Sequence, residues 1–414
     1  MAIGEVAITV LKDTALGHTN VKQFFWNPLN GREFAALPRN TTDDWFLWVQ
    51  DFNGETTGEF AGNNGDWSLA LDNLGNPINL DTRASCRPDL FFDPIAKRLT
   101  VLRMHATGYI DQYNWDSATN RFNLDATKNT ISVGHINPGA NNNHASHIID
   151  SLGQYQVQFN HTNDPRRQMV RQSNTSWTTS NFITLESDIG DEADTRGDIC
   201  TWFKEVGGVA KPHSGIVYKN RINQEVRFAY KDDDDANSIG NWTFETVETS
   251  AMVDNHCMVL PYLIPGDKTS QLFVARKAEE LGIQSVVVQR RNRLGVWTDK
   301  VILETLDKYS RPFLTLDPIN DELYCYYVDN EIGSTDFGIF FRKCNIYDWV
   351  WSPTRTKVLE STGVNSFLSP KGTRYANPIS GITICGFDKD ATNGELWMNE
   401  IAIPRPYQTP MIMI

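Results

Sequence analysis

Few side chains in this sequence are spaced for chemistry, and those few bound what the chain can do. Six cysteines (Cys86, Cys200, Cys257, Cys325, Cys344, Cys385) could in principle ligate zinc or pair as disulfides. None stands in a C-x-x-C pair and most fall inside alternating apolar runs, so they read as buried thiols. The stretch DKDATNGELW from Asp388 has the composition of a calcium loop, but Gly394 falls one place late for that spacing and no acidic twelfth ligand follows. It reads as an Asn-Gly hairpin, and neither a metal nor a cofactor is expected. The acidic run 232–235 lies in a turn and reads as a solvated face. What remains is a set of histidines and cations at the ends of apolar runs. His144 and His161 flank the stretch that carries HIIDSLGQYQVQF; Lys219 ends another such run, His256 precedes a third, and Arg311 opens a fourth. His105, His135 and His147 carry no functional expectation.

These residues sit on a β framework. Apolar residues rarely recur at three and four over a long window, whereas short runs of Val, Ile, Phe, Tyr and Thr alternate with polar residues between Gly, Asn, Asp and Pro clusters. Two segments reveal a repeat: RPDLFFDPIAKRLTVLRM from Arg87 and RPFLTLDPINDELYCYYV from Arg311 share Arg-Pro, an apolar strand, Asp-Pro, a turn and a second strand. Comparable units centre on Asn27, Asp93, Asp150, Lys204, Pro265, Asp317 and Asp388, about 52 to 71 residues apart. That period fits a four-stranded blade, so the expected fold is an all-β, seven-bladed β-propeller with four-stranded antiparallel blades. A polar turn and an aromatic fourth strand follow each inner hairpin, giving Trp177, Trp242, Trp297, Trp349 and Trp351 the task of filling the wedge between radiating blades. One domain is expected over 1–404, with 405–414 as a tail, and a strand from residues 5–11 is expected to complete the last blade.

Composition narrows the partners. The formal charge of −13, with basic residues clustered only around Arg166-Arg167 and Arg290-Arg291, argues against nucleic acid. No apolar run approaches the ~20 residues needed to span a bilayer. Acidic Glu5 and Asp13 occupy the place of a basic leader region, so no signal peptide is expected.

The turns before the aromatic strands resemble degraded Asp boxes of sialidase-like, BNR-repeat propellers. Residues 141–174 (NNNHASHIIDSLGQYQVQFNHTNDPRRQMVRQSN) are similar to a segment of the BNR-repeat family that includes the ulvan lyases, and His144 and His161 match its two histidines. The resemblance implies β-elimination on a uronate-containing polysaccharide, in which a base takes the proton beside the carboxylate and a cation neutralises that carboxylate. Where the family carries a catalytic Tyr and Arg on the next blade, this chain has Trp202 and Lys219. Trp has no proton suited to acid or base work, and Lys is a point charge where Arg clamps a carboxylate bidentately.

The resemblance with those replacements implies binding more than catalysis. Aromatic faces stack on pyranose rings and cations meet sulfate or carboxylate, so Trp202, His256 and Arg311 are the expected glycan contacts, with His144, His161 and Lys219 as the catalytic set only if the chain is a lyase. The expected function is a non-enzymatic module for recognising a surface glycan or acidic polysaccharide, or for assembly with other virion proteins, as in a bacteriophage tail or capsid-surface component. Such a protein would act in the virion or outside the cell after lysis, and otherwise be cytoplasmic. The alternative is a polysaccharide lyase.

Overall fold

The computed structural model describes residues 5–10, 22–38, 44–51, 66–82, 87–103, 107–126, 131–135, 145–161, 167–173, 182–187, 197–220, 222–249, 257–280, 283–305, 311–329, 338–360, 370–378, 381–388 and 394–401. Its strands form seven antiparallel sheets. Six are four-stranded blades of consecutive strands, covering 24–69, 89–124, 146–186, 198–249, 257–305 and 313–359; the first two carry an extra strand, Asn79–Asp81 and Ile131–His135. The remaining sheet is composite. Lys371–Gly372, Ile382–Asp388 and Gly394–Ile401 pair in that order, and Glu5–Val10 from the other end of the chain pairs with the last of them.

The expectation of seven blades from seven copies of one unit is therefore corrected to six blades of that kind. Among the described residues the unit near Asp388 supplies three strands of its own: its inner strand shrinks to two residues and its outer edge comes from Glu5–Val10, with Glu5 opposite Met398 and Val10 opposite Gly394. Without that pairing the strand Gly394–Ile401 would present an open edge of unpaired backbone groups. Deleting residues 1–15 is expected to lower the melting temperature sharply, and an unchanged thermal unfolding curve would refute this role for the segment.

Neighbouring sheets meet face to face around a common axis, which makes the molecule an all-β propeller. Each apolar cluster bridges adjacent sheets: Phe34 and Trp45 with Leu99 and Trp115, Ile110 with Val157, Ile148 and Ile183 with Ile216 and Trp242, and Val217 with Val259 and Trp297. Met258 and Tyr326 continue the series to Ile384, and Cys385 and Met398 return it to Ala35 and Trp48. Because both faces of a blade are covered, inner strands read as unbroken buried runs, as in Phe313–Asp317, whereas the outer strand Thr243–Thr249 is largely exposed. The outer-strand tryptophans Trp242, Trp297, Trp349 and Trp351 lie in these wedges; Trp177 lies outside the described residues.

Four of the repeat anchors share one turn chemistry. The side-chain oxygens of Asn27, Asp93, Asp150 and Asp317 accept from the backbone N–H two residues on, at 2.9, 2.9, 3.0 and 3.1 Å. These Asx turns close the inner hairpins and so fix which strand lines the axis. Gly31, Lys97 and Asp321 hold the same left-handed position, four residues after their anchors, at φ 73°, 52° and 53°. The five described cysteines are buried and unpaired with one another. The acidic run departs from its expectation, since Asp233 is buried and accepts from Ser214 Oγ at 2.7 Å and from the backbone of Ser151 at 3.0 Å. Among the described residues no group of His, Cys, Asp and Glu is placed to hold a metal, and no helix is long and apolar enough to cross a membrane. Residues 389–393 and the 405–414 tail lie outside the described residues.

Candidate functional site at the axial mouth

Antiparallel pairing brings the start of each inner strand beside the end of the next. Asp198 pairs with Val217 and Ser146 with Gln158, so Asp89, Asp198, His161, Lys219 and Arg311 all fall toward one end of the axis. This end is the mouth. His161 closes the strand Tyr155–His161, and Arg311 is half-buried just ahead of Phe313–Asp317. His144 and His256 lie outside the described residues, as does the side chain of His161.

Two expected site residues are placed away from solvent. Trp202 is fully buried, with Tyr230, Phe228 and His213 around it at ring-centre distances of 5.1, 5.8 and 5.3 Å. The Arg291 guanidinium covers its ring at 4.9 Å and is itself gripped by both Glu245 oxygens, each at 2.8 Å. The indole is thus part of the core and has no open face for a sugar. Lys219 is 1% exposed, which removes its ammonium from contact with a chain laid across the mouth. Tyr218, beside it, donates its hydroxyl to Glu186 at 2.9 Å, and Arg227 pairs with the same carboxylate. Burial and the Glu186 charge push the Tyr218 hydroxyl well above its ordinary range, so it is not poised to give up a proton.

What lines the axis is a charge cluster that the motifs did not reveal. Asp89 is fully buried and accepts three hydrogen bonds, from the backbone N–H groups of Lys22 (2.5 Å) and His147 (2.8 Å) and from His147 Nδ1 (2.7 Å), while the Lys22 ammonium pairs with it by charge at 3.2 Å. Asp198 repeats the device two blades on. Its carboxylate accepts from the Val259 backbone at 2.9 Å and binds Arg374 Nη2 at 2.8 Å, while Arg374 Nη1 donates to the Val259 carbonyl at 3.1 Å. Each aspartate starts an inner strand, clips it to the backbone of the next blade, and binds a cation from elsewhere on the axis. The sequence signal for it is RPDLFF and RGDICTW, two strands that each open on Asp.

His147, which carried no functional expectation, is the buried partner of Asp89. With Nδ1–H facing the carboxylate, Nε2 is an acceptor 2.9 Å from the Thr100 hydroxyl, whose single proton is shared with the Phe91 carbonyl at 3.2 Å. Burial holds the imidazole below its ordinary value and neutral, against the opposing pull of Asp89. Burial pushes Asp89 up, but the Lys22 charge and the His147 hydrogen bond outweigh it and hold the carboxyl below its usual range. Burial, with Arg374 adding like-charge repulsion, drives Lys371 far down.

Acid therefore opens this cluster. The unfolded chain protonates His147 near 6.5 while the folded chain resists, so stability is intact above that pH and falls as pH drops below it. The Asp89 contribution is present above about 4 and is lost as pH falls through its lower folded value. The melting temperature should decline from pH 7 to pH 5, and His147→Gln, which keeps a donor for Asp89 and an acceptor for Thr100, should flatten that decline. Equal slopes for both proteins would refute the assignment.

No family model matches the sequence, and neither does any curated protein. Likeness appears among solved structures. An ulvan lyase, described as a new family of polysaccharide lyase, superposes with a TM-score of 0.51 at 11% identity, covering 97% of this chain and 96% of that one. A triple arginine-to-alanine variant of AofleA from Arthrobotrys oligospora gives 0.47 at 10% identity over 78% and 88%. The Dos1 propeller gives 0.43 at 12% over 94% and 94%. At 11% identity the likeness to the ulvan lyase is one of fold alone, and it agrees with the sheets and the axial ring: the chain is a β-propeller of four-stranded antiparallel blades, an architecture it shares with that lyase along nearly its whole length.

Proposed function

We propose that this propeller, read as a BNR-repeat, sialidase-like ring with the composite sheet as its closing blade, is a non-enzymatic module for glycan recognition or assembly, of the kind a bacteriophage virion displays on its tail or capsid surface. One observation carries the reading. The two positions where a lyase would hold its proton-transfer and neutralising groups are occupied by side chains that solvent does not reach, Trp202 and Lys219. Elimination needs a cation in direct contact with the substrate carboxylate as charge develops on it. An acidic glycan at the mouth instead meets Arg311, which is half-buried there; His256, the other cationic contact expected from the sequence, lies outside the described residues.

The test uses alginate and chondroitin sulfate on the intact protein. Retention on immobilised polysaccharide, with no rise in near-ultraviolet absorbance from unsaturated product, is the expected result. An absorbance rise abolished by His144→Ala and His161→Ala would overturn the reading in favour of a polysaccharide lyase, to which the fold likeness lends support.

Assembly has its own favouring observation. At the opposite end of the axis the inner hairpins carry exposed aliphatic side chains at their tips: Ile95 is 79% exposed, Val209 62% and Leu152 53%. Such a ring of apolar tips is suited to burial against a partner. If the chain assembles through it, Ile95→Glu with Leu152→Glu shifts the particle mass seen by light scattering. An unaltered mass for the variant would exclude assembly through that ring.

A further inference from the structure

In a blade of four antiparallel strands the turn from the first strand to the second and the turn from the third to the fourth share one end, which here is the end away from the mouth. The exposed aliphatic tips of the inner turns, Ile95, Leu152 and Val209, are therefore joined by tips of the outer turns. Leu294, between Ile283–Arg291 and Trp297–Thr305, is 82% exposed, and Val350, between Gly338–Asn345 and Thr356–Leu359, is 73% exposed. These apices are held rigidly. Leu152 and Leu294 ride on the same turn, in which the side-chain oxygen of Asp150 or Asn292 accepts from the leucine N–H at 3.0 Å in both cases, and from the N–H two residues further on at 2.8 or 3.1 Å. Val350 follows Trp349, whose ring stacks on Phe273 with centres 5.7 Å apart. Charges among the tips answer one another within the face: Lys268 stands 3.7 Å from Glu205, Arg293 3.5 Å from Asp267 and Lys211 3.2 Å from Asp234.

We propose that this end of the propeller is the interface with a second copy of the same chain, tip face against tip face about a twofold axis, so that the two mouths point away from each other. The inference rests on the reading of the inner ring as an assembly surface and names its partner. Charge favours a second copy. At a net charge of −13 two copies repel across most of their surface, whereas on the tip face the paired side chains cancel much of that repulsion and leave apolar apices to meet their own counterparts, as an isologous contact requires. Size favours it too. Four strands about 4.8 Å apart give each blade a depth of roughly 20 Å, so the end face is a disc of about 1,200 Å², above the roughly 800 Å² per partner of a stable interface. Apices set by their own turns need little ordering when they meet. Mouths facing outward let one dimer engage two stretches of polysaccharide at once.

The test is sedimentation of the intact protein over a range of concentrations. A species of twice the chain's 46.9 kDa is expected, and sodium chloride should tighten it by screening the negative charge the two copies share. Leu294→Glu with Val350→Glu places four like charges in the contact and should weaken association at least about hundredfold. Both side chains stand in solvent in the single chain, so the far-ultraviolet circular dichroism spectrum should not change. A monomer at every concentration would overturn the second copy as occupant while leaving the ring open to a different protein. A dimer that the double substitution leaves intact would overturn both this inference and the use of that face for assembly. Dissociation by sodium chloride would show a contact held by ion pairs between chains, and loss of the dimer on removing residues 402–414 would show one held by that segment; either result would overturn the proposal. So would binding to phosphatidylcholine vesicles that the same double substitution abolishes, which would make lipid the occupant.

Discussion

Replacing Asp198 with Asn is expected to destabilise the protein by about 3–5 kcal/mol, the cost of breaking a buried ion pair by removing one partner. Asp198 is fully buried, its carboxylate spans two blades through the Val259 N–H, and it holds Arg374 from the composite sheet. Asn keeps the shape and can still accept from Val259, but the guanidinium loses its counter-charge in a site poor in water. Adding Arg374→Met should recover a substantial part of the loss, because the stranded charge leaves with it. Thermal and urea unfolding of the single and double variants decide the matter. A single variant that unfolds like the parent, or a double variant worse than the single, would show that the pair does not hold the ring.

The second large effect is at Trp202. Trp202→Ala should cost about 3–5 kcal/mol by leaving a cavity in the packed interior, with Trp202→Phe costing less. Tyr230, Phe228 and the Arg291–Glu245 pair all rest on the indole. Gly215 is fitted beneath the same ring, since an added Cβ there would lie 3.0 Å from the indole nitrogen and 2.6 Å from Phe228. Were Trp202 a sugar platform instead, Trp202→Ala would lose glycan retention at an unchanged melting temperature. Measuring both on one preparation separates the two roles.

Proton linkage at the axis belongs with these effects, because it acts on the same clips. Asp89 and Asp198 occupy equivalent places at the start of their inner strands, yet among the described residues only Asp89 has an imidazole beside it. Mild acid should therefore loosen the contact between the second and third blades before it touches the Asp198 clip. Protection of the His147 amide from hydrogen exchange, followed from pH 7 to pH 5, reports this locally.

Local order was legible in the residues. Asn27, Asp93, Asp150 and Asp317 announced the inner hairpins because an Asx turn is made within a few residues and needs no help from afar. Alternating Val, Ile, Phe and Tyr announced the strands, and recurrence of the unit announced the propeller. The same logic misled at Trp202 and Lys219. Motif register fixed which strand each is on, but whether a side chain on that strand faces groove or core depends on the neighbouring blade, which is distant in the chain. His147 shows the converse: no motif marks it, yet it stands at the centre of the axial cluster.

The sequence alone therefore determined the β class, the repeating unit and the hairpin ends, all of which rest on interactions a few residues long. Tertiary structure decided two things: that the last sheet joins strands from opposite ends of the sequence, and that Asp89 and Asp198 hold the ring from within. Each depends on groups brought together across tens to hundreds of residues, such as Arg374 with Asp198. Burial and charge pairing of that kind are set by the closed ring and by no local spacing.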